Sequence, residues 1–296
     1  MSNLFSNNKF QNAFSIFLAI IIFVFLSFLL LAQVNLLNGV GGIIGYGPKD
    51  LISTQIQWSD VLVGLTIYLK TAVDFAIIIG LLMSKYPGFK NRVAIENGTA
   101  LGNTLGTMAV LALWFFFKEI KWLLALMVLV ASLVLLELAK GGIHHIEEAE
   151  QEGQKVPTWV KVIASKLDIF LNIVMKLVEP VLSKIMPNMK FDDTKQLTFW
   201  GLIGTSFTIP FILGLDDFAG YVPLFNVVNV LGFGIGVFLG HMILNILLFI
   251  NPAKTITIVK NPIISLLGSL FFIGLAFYGL YEVFHSIQSI IIGRGH

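Results

Sequence analysis

The sequence predicts an all-α integral membrane protein. Its expected plan is a leading helix, two three-helix halves of opposite orientation and a cytoplasmic amphipathic insert. Three observations carry that expectation. Of 296 residues, 56% are hydrophobic and 12% charged, about half the charge of an ordinary soluble domain. Seven runs are apolar and long enough for the roughly 20 residues a membrane helix needs. The pattern of the second and third runs recurs in the fifth and sixth. Mean hydropathy is +0.88. A formal charge of +2 gives no excess for a polyanion, so nucleic acid is not an expected partner. Cysteine is absent, which excludes disulfides, thiolate metal sites, iron–sulfur clusters and Cys nucleophiles.

The expected spans are residues 13–36, 61–84, 94–117, 122–138, 197–218, 227–250 and 263–283. The first run is longer than a signal-peptide core, and no small-x-small cleavage site follows it, so it reads as a retained helix. Orientation follows from the basic residues in the loops. With the N-terminus inside, Lys9, Lys85, Lys90, Arg92, Lys254, Lys260 and the eight lysines of 140–195 lie inside. Lys49, Lys118, Lys121 and Arg294 lie outside. The expectation is therefore a plasma-membrane protein with a cytoplasmic N-terminus and an outer C-terminus. Glu96 is expected at the inner surface, where a helix N-terminus favours a carboxylate.

Four segments follow: 1–59 with the leading helix and an outer loop, 60–139 as the first three-helix half, 140–195 as the insert, and 196–296 as the second half. In the insert, Trp159, Ile163, Leu167, Phe170, Val174, Leu177, Val181 and Ile185 recur every three or four residues. Charged and amide side chains lie between them. That spacing predicts an amphipathic helix on the inner leaflet or against the bundle, with Pro180 as a possible kink. His144-His145 with Glu147-Glu148 reads as a solvated helix start or a cytoplasmic metal-sensing patch.

The repeat is specific. Leu65-Thr66-Ile67 is followed, eight residues after Thr66, by Asp74-Phe75-Ala76. Phe207-Thr208-Ile209 is followed, eight residues after Thr208, by Asp216-Asp217-Phe218. The next run of each half carries Gly98-x-x-Leu101-Gly102-Asn103 or Gly236-x-x-Leu239-Gly240-His241. Three spans per half is an odd number, so the halves enter the membrane from opposite sides. That is the inverted-repeat plan of secondary transporters, with sites near the midplane.

Ionisable residues inside spans are functional candidates because their burial is costly. Asp74, Asp216 and Asp217 are such residues, and carboxylates that meet in a dry interior call for a cation or a proton between them. Asn103, His241 and Asn245 are expected to complete a metal set, since oxygens with one imidazole suit Mn²⁺, Fe²⁺, Zn²⁺ or Cd²⁺. Lys70 and Asp74, four residues apart, also read as an ion pair or a proton-coupling element. Gly98, Gly102, Gly106, Gly232, Gly236 and Gly240 form small-residue stripes suited to close helix packing.

On these residues, Asp74-Phe75-Ala76 with Gly98-x-x-Leu101-Gly102 and Asp216-Asp217-Phe218 with Gly236-x-x-Leu239-Gly240, the chain resembles the lysine-exporter (LysE) superfamily in its broad sense. That group includes cadmium-resistance transporters, TerC-type proteins and cation–proton exchangers. The resemblance spans residues 65–283 without the insert. The E-x-G-D signature of the exchangers and the Asp-Asn pair of TerC-type proteins are absent.

The leading expectation is a secondary transporter of a divalent cation, exporting in exchange for protons. An exporter of a small organic solute such as an amino acid is the alternative. A non-transport assembly factor or receptor acting through the insert is a third reading. No cofactor is expected beyond the transported cation. No nucleophile elbow, phosphate loop or zinc-hydrolase motif marks an enzyme.

Overall fold

The computed structural model describes the backbone of residues 8–47, 51–151, 153–185, 197–226 and 228–291. Side chains are described there except at 8, 74, 177–185, 212–220, 226 and 289–291. Among the described residues the regular structure is entirely helical. The helices are α1 (Asn8–Ile43), α2 (Trp58–Thr71), α3 (Val73–Lys85), α4 (Phe89–Phe117), α5 (Lys121–Gln151), α6 (Thr158–Ile185), α7 (Phe199–Tyr221), α8 (Val230–Ile250), α9 (Pro252–Val259) and α10 (Pro262–Ile291). Five of them, α1, α4, α5, α8 and α10, are long and apolar enough to cross a membrane. The molecule is thus an integral membrane protein, and apolar outer faces such as Phe17, Val24 and Phe28 of α1 fit contact with lipid.

The expected second span is not one continuous helix. It is the pair α2 and α3, which meet at 64°. Neither Pro nor Gly sits at the break. Ala72 takes φ −77° and ψ 21°, and the Thr71 hydroxyl donates to the Tyr68 carbonyl at 3.1 Å. A hydroxyl that competes for a ladder carbonyl loosens a helix at such a point. The expected fifth span is α7, with Pro210 inside it. Its stretch Phe199–Phe211 is a short apolar helix.

The helices gather into two compact units. One holds α1 to α4, α7 as far as Leu215, α8 and the start of α9. In it α2 and α8 run in the same direction, because Gly64 meets Phe233, Gly236 meets Val61 and Leu65, and Gly240 meets Tyr68. A Cβ on Gly236 would stand 2.8 Å from the Leu65 nitrogen. The glycines of α4 receive α7 in the same way. A Cβ on Gly98 would stand 2.5 Å from the Ile203 carbonyl oxygen, and one on Gly102 would stand 2.8 Å from Pro210 Cγ. These helices also run in one direction. That direction is opposite to α8, since Arg92 Nη1 donates to the Phe249 carbonyl at 2.6 Å while Thr99 meets Asn245 further along. Helix α1 lies along α4 with the same polarity. Phe14 packs edge-on to Phe89 at 5.2 Å, and Gln33 donates to the Met108 carbonyl at 2.7 Å.

Short polar residues tie the ends. Asn38 and Ile52 exchange hydrogen bonds of 2.9 and 2.8 Å, which anchors the loop after α1. Asn229 caps α8 through the Gly232 nitrogen and donates to the Ser53 and Gln55 carbonyls. Asn251-Pro252 and Asn261-Pro262 start α9 and α10 alike: the Asn oxygen accepts from the first turn, and the Pro stands where a missing N–H is harmless.

The other unit holds α5, α6, the end of α7 with a 3₁₀ turn over Val222–Asn226, and α10. Here α5 and α10 run antiparallel. Ser132 of α5 lies on Gly279 of α10, and Ser269 of α10 lies on Gly142 of α5. Each serine donates to its own helix, Ser132 to Val128 at 2.8 Å and Ser269 to Ser265 at 3.0 Å. Helix α5 does not stop near residue 139 but continues to Gln151. A Schellman ending follows, with Gly153 at φ +82° and bonds Gly153 to Glu150 and Gln154 to Ala149, the conformation that favours glycine.

The amphipathic helix of the insert is α6. It packs within its own unit: Val160, Ala164, Leu171 and Met175 are buried with α5 and α10, and the expected Ile163, Leu167 and Val174 pack against them, partly buried. Trp159, expected inside, is 51% exposed. Phe170, also expected inside, is exposed, with its ring stacked on Phe277 at 6.1 Å. Pro180 lies outside the described side chains. His144, His145 and Lys260 surround one carboxylate, Glu148, at 3.3, 3.2 and 3.9 Å, and Lys161 pairs with Glu150. This is a solvated ionic cluster at a helix end.

The close glycine contacts predict a graded response. Gly236→Ala and Gly98→Ala should each lower stability by about 1–3 kcal/mol, because the added methyl meets backbone that has to move. Gly39→Ala, where nothing lies within 4 Å, should be neutral or stabilising by about 0.5–1 kcal/mol. Unfolding of the three variants in one detergent checks the order.

Candidate functional site

The interior of the first unit holds a connected set of polar side chains. It begins where α2 lies on α8. One face of α2 carries Asp60, Gly64 and Tyr68 at four-residue spacing, and Gly64 lets the backbones close. One turn further in, the Tyr68 hydroxyl reaches His241 Nδ1 of α8 at 2.5 Å. The opposite ring nitrogen, Nε2, lies 3.1 Å from Asn245 Nδ2. Asn245 continues to Thr99 of α4: its Nδ2 is 3.0 Å from the Thr99 hydroxyl, and that hydroxyl is 3.3 Å from Asn245 Oδ1. Four side chains from three helices are thus linked in series. His241 and Asn245 are fully buried, and so is Thr99.

The local sequence accounts for this set. His241 and Asn245 are one helical turn apart and share a face. Gly98 and Gly102 flank Thr99, so α7 packs closely on one side of α4 while Thr99 reaches α8. Aromatic rings close the histidine in: Phe75 of α3 lies 5.2 Å from the His241 ring and the Tyr68 ring 5.5 Å, both centroid to centroid. The amide nitrogen of Asn245 is a donor, so Nε2 accepts. A neutral ring then holds its hydrogen on Nδ1 and donates to the Tyr68 oxygen. The chain of bonds has one consistent direction, from Asn245 through His241 to Tyr68.

The predicted site residues divide into three groups. His241 and Asn245 are brought together. Asn103 is buried on α4, one turn beyond Thr99, and its Nδ2 has no hydrogen-bond partner among the described residues. The side chains of Asp74, Asp216 and Asp217 lie outside the described residues, and with them the Lys70–Asp74 pair. Both nitrogens of His241 are engaged, so metal ligation by this ring needs one partner displaced. Among the described residues no group of three His, Cys, Asp or Glu side chains is placed to hold a metal ion.

Several participants are not evident from the sequence patterns. Tyr68 has one signal, its four-residue spacing from Gly64. Thr99 stands between two motif glycines. Glu96 does not stand at the start of its helix as expected, since α4 begins at Phe89. It is wholly buried, because Ser15 of α1 covers it and donates toward both carboxylate oxygens at 3.3 Å. The Thr99 hydroxyl also lies 2.9 Å from the Glu96 backbone carbonyl. Glu96 therefore shares a helical turn with the polar set.

Comparison with known proteins identifies no relative: no family model, curated protein or solved structure matches the chain.

A buried polar group left without a partner costs about 1–3 kcal/mol. Asn245→Leu strands His241 Nε2, while the Thr99 hydroxyl keeps the Glu96 carbonyl, so it should destabilise by that amount. Tyr68→Phe strands the other ring nitrogen, Nδ1, and should cost a similar amount. The two changes should be non-additive in a double-mutant cycle on unfolding free energy, because both act through one imidazole.

Proposed function

We propose that the protein is a secondary transporter built from two three-helix halves of opposite direction. Reciprocal packing is the observation that carries this reading. The first helix of one half (α2–α3) lies on the second helix of the other (α8), and α7 lies on α4. Both contacts use glycines at matching motif positions, Gly236 and Gly240 in one, Gly98 and Gly102 in the other. Within the first unit α2 runs with α8 and against α4, whereas α7 runs with α4. The third helices, α5 and α10, are joined by a reciprocal Gly–Ser contact. An inverted repeat gives each of these relations from one internal symmetry. On this reading α1, α2–α3, α4, α5, α7, α8 and α10 are seven spans, with the N-terminus in the cytoplasm. The lysine-exporter likeness of the Asp-Phe and Gly-x-x-Leu-Gly motifs points the same way.

The cargo is a divalent metal cation of the manganese, zinc, cadmium or calcium class, bound from the carboxylates within the spans and exported. The break between α2 and α3 supports a binding role for this region. Interrupted backbone at membrane depth is tolerated where it is enclosed by protein or lines a cavity, and here it lies between Tyr68 and Asp74. Tyr68, Thr99 and Asn245 offer neutral oxygens and His241 an imidazole, a donor mixture suited to borderline cations. Asp74 adds the charge, one residue before the Phe75 that packs on His241. Asp216 and Asp217 occupy the matching sequence position of the second half. One observation favours an organic solute with an ammonium group instead: both His241 nitrogens are already hydrogen-bonded.

Reconstituted into proteoliposomes, the wild type should move metal. Asp74→Asn and Asp217→Asn should each abolish flux while the protein stays monodisperse. Full flux in both variants overturns the metal reading. A thermal-shift panel of Mn²⁺, Zn²⁺, Cd²⁺, Ca²⁺ and Mg²⁺ against amino acids separates the two cargo classes. Stabilisation by a metal, lost in Asp74→Asn, supports the first, and stabilisation by an amino acid alone supports the second.

A further inference from the structure

We propose that Glu96 is a proton-binding site inside the bundle, positioned by Ser15 of the leading helix. Glu96 is fully buried on α4. Its described side-chain partner is one hydroxyl, Ser15, placed 3.3 Å from each carboxylate oxygen. A single long donor cannot replace the hydration of an ionised carboxylate, and a carboxylate in a dry interior is retained where it is paired, hydrogen-bonded or protonated. The packed elements supply no compensating charge among the described residues. Helix α1 offers Ser15, and its lone ionisable residue, Lys9, lies six positions earlier at the exposed start of the helix. The described part of α7 that meets Gly98 is Ile203 and Ser206. Helix α8 brings His241, which is bonded to Tyr68 and Asn245. The nearest cation in sequence is Arg92, one turn before Glu96 on the same helix. Its guanidinium donates instead to the Phe249 carbonyl at 2.6 Å, and its Nε is buried without a partner.

The geometry therefore leaves two under-satisfied, complementary groups one turn apart. With a proton on Glu96 the carboxyl is neutral and Arg92 rests on the Phe249 carbonyl. Loss of that proton leaves a carboxylate for which an Arg92 turned along α4 is the available partner, at the i, i+4 spacing that suits such a pair. Proton binding is thereby linked to the α4–α8 contact, one turn from the Thr99–Asn245–His241–Tyr68 set. The proton site stands on its own geometry. Its role as the coupling site of transport rests on the function proposed above.

Infrared difference spectroscopy of the purified full chain, taken between acid and alkaline buffer, tests this without relying on transport. The wild type should show a protonated-carboxyl band that titrates, and Glu96→Gln should lack one such band. Ser15→Ala, which keeps the carboxyl and removes its hydrogen bond, should shift that band. A spectrum of Glu96→Gln that matches wild type overturns the proposal. If Glu96→Gln does not fold, an unshifted band in Ser15→Ala overturns it instead. Flux is then read on the same preparations. A titrating Glu96 band in a protein that moves no metal keeps the proton site and removes the transport reading. Metal flux with no Glu96 band does the reverse.

Discussion

Close backbone approach at glycine is the constraint on which the rest of the first unit depends. Lipid tails are as apolar as leucine, so helices in a bilayer gain little from apolar contact as such and associate through dense packing and hydrogen bonds. Gly64 against Phe233 and Gly236 against Val61 bring α2 and α8 to contact distance. Only at that distance does the Tyr68 hydroxyl reach His241. The same close approach at Gly98 and Gly102 seats α7 on α4 and leaves the neighbouring Thr99 turned to Asn245. One packing device thus sets the position of a polar set that belongs to three helices.

The polar set in turn fixes rotation. Apolar side chains tolerate sliding, whereas Tyr68, His241, Asn245 and Thr99 have partners that a small rotation of any helix would break, and each lost partner is a buried unsatisfied group. The break at Ala72 sits directly after Tyr68, so α2 is held by the histidine on one side of the bend while α3 presents Phe75 to the same ring. A fixed point next to a bend is a suitable place for a helix to pivot. Helix α1 adds a second layer. It lies before the stretches that carry the repeated motifs, yet Ser15 and Gln33 bond to α4, which makes the leading helix a structural neighbour of the polar interior.

Much of this was legible in the residues, and the limits have physical causes. Four-residue glycine spacing is legible as a stripe because a helix repeats every 3.6 residues, and Gly98, Gly102, Gly236 and Gly240 of those stripes are closely approached by neighbouring helices. His241 and Asn245 were recognisable as one face for the same reason. Glu96 was expected at a helix start, but α4 begins two turns earlier, at Phe89, and Ser15, distant in sequence, covers the side chain. Helix α6 was found, but periodicity cannot tell a protein-facing stripe from a lipid-facing one when both are apolar; Trp159 lies on the exposed side while Val160 and Ala164 are buried. The span from 61 to 84 read as continuous because it is apolar apart from Lys70 and Asp74; these flank the bend, but no Pro or Gly marks it.

By itself the sequence determined that this is a helical membrane protein, with its apolar runs, its repeated Asp-Phe and Gly-x-x-Leu-Gly motifs and its amphipathic insert. These are properties of local composition and of helical period, which neighbouring residues decide between them. The tertiary structure alone decided that α2 breaks at Ala72, that Tyr68 and Thr99 complete the histidine's bonds, and that Glu96 is sealed under Ser15. Those facts depend on which helix lies against which and in what rotation. Contacts between residues as far apart as Ser15 and Glu96, or Tyr68 and His241, leave no periodic trace in a single chain.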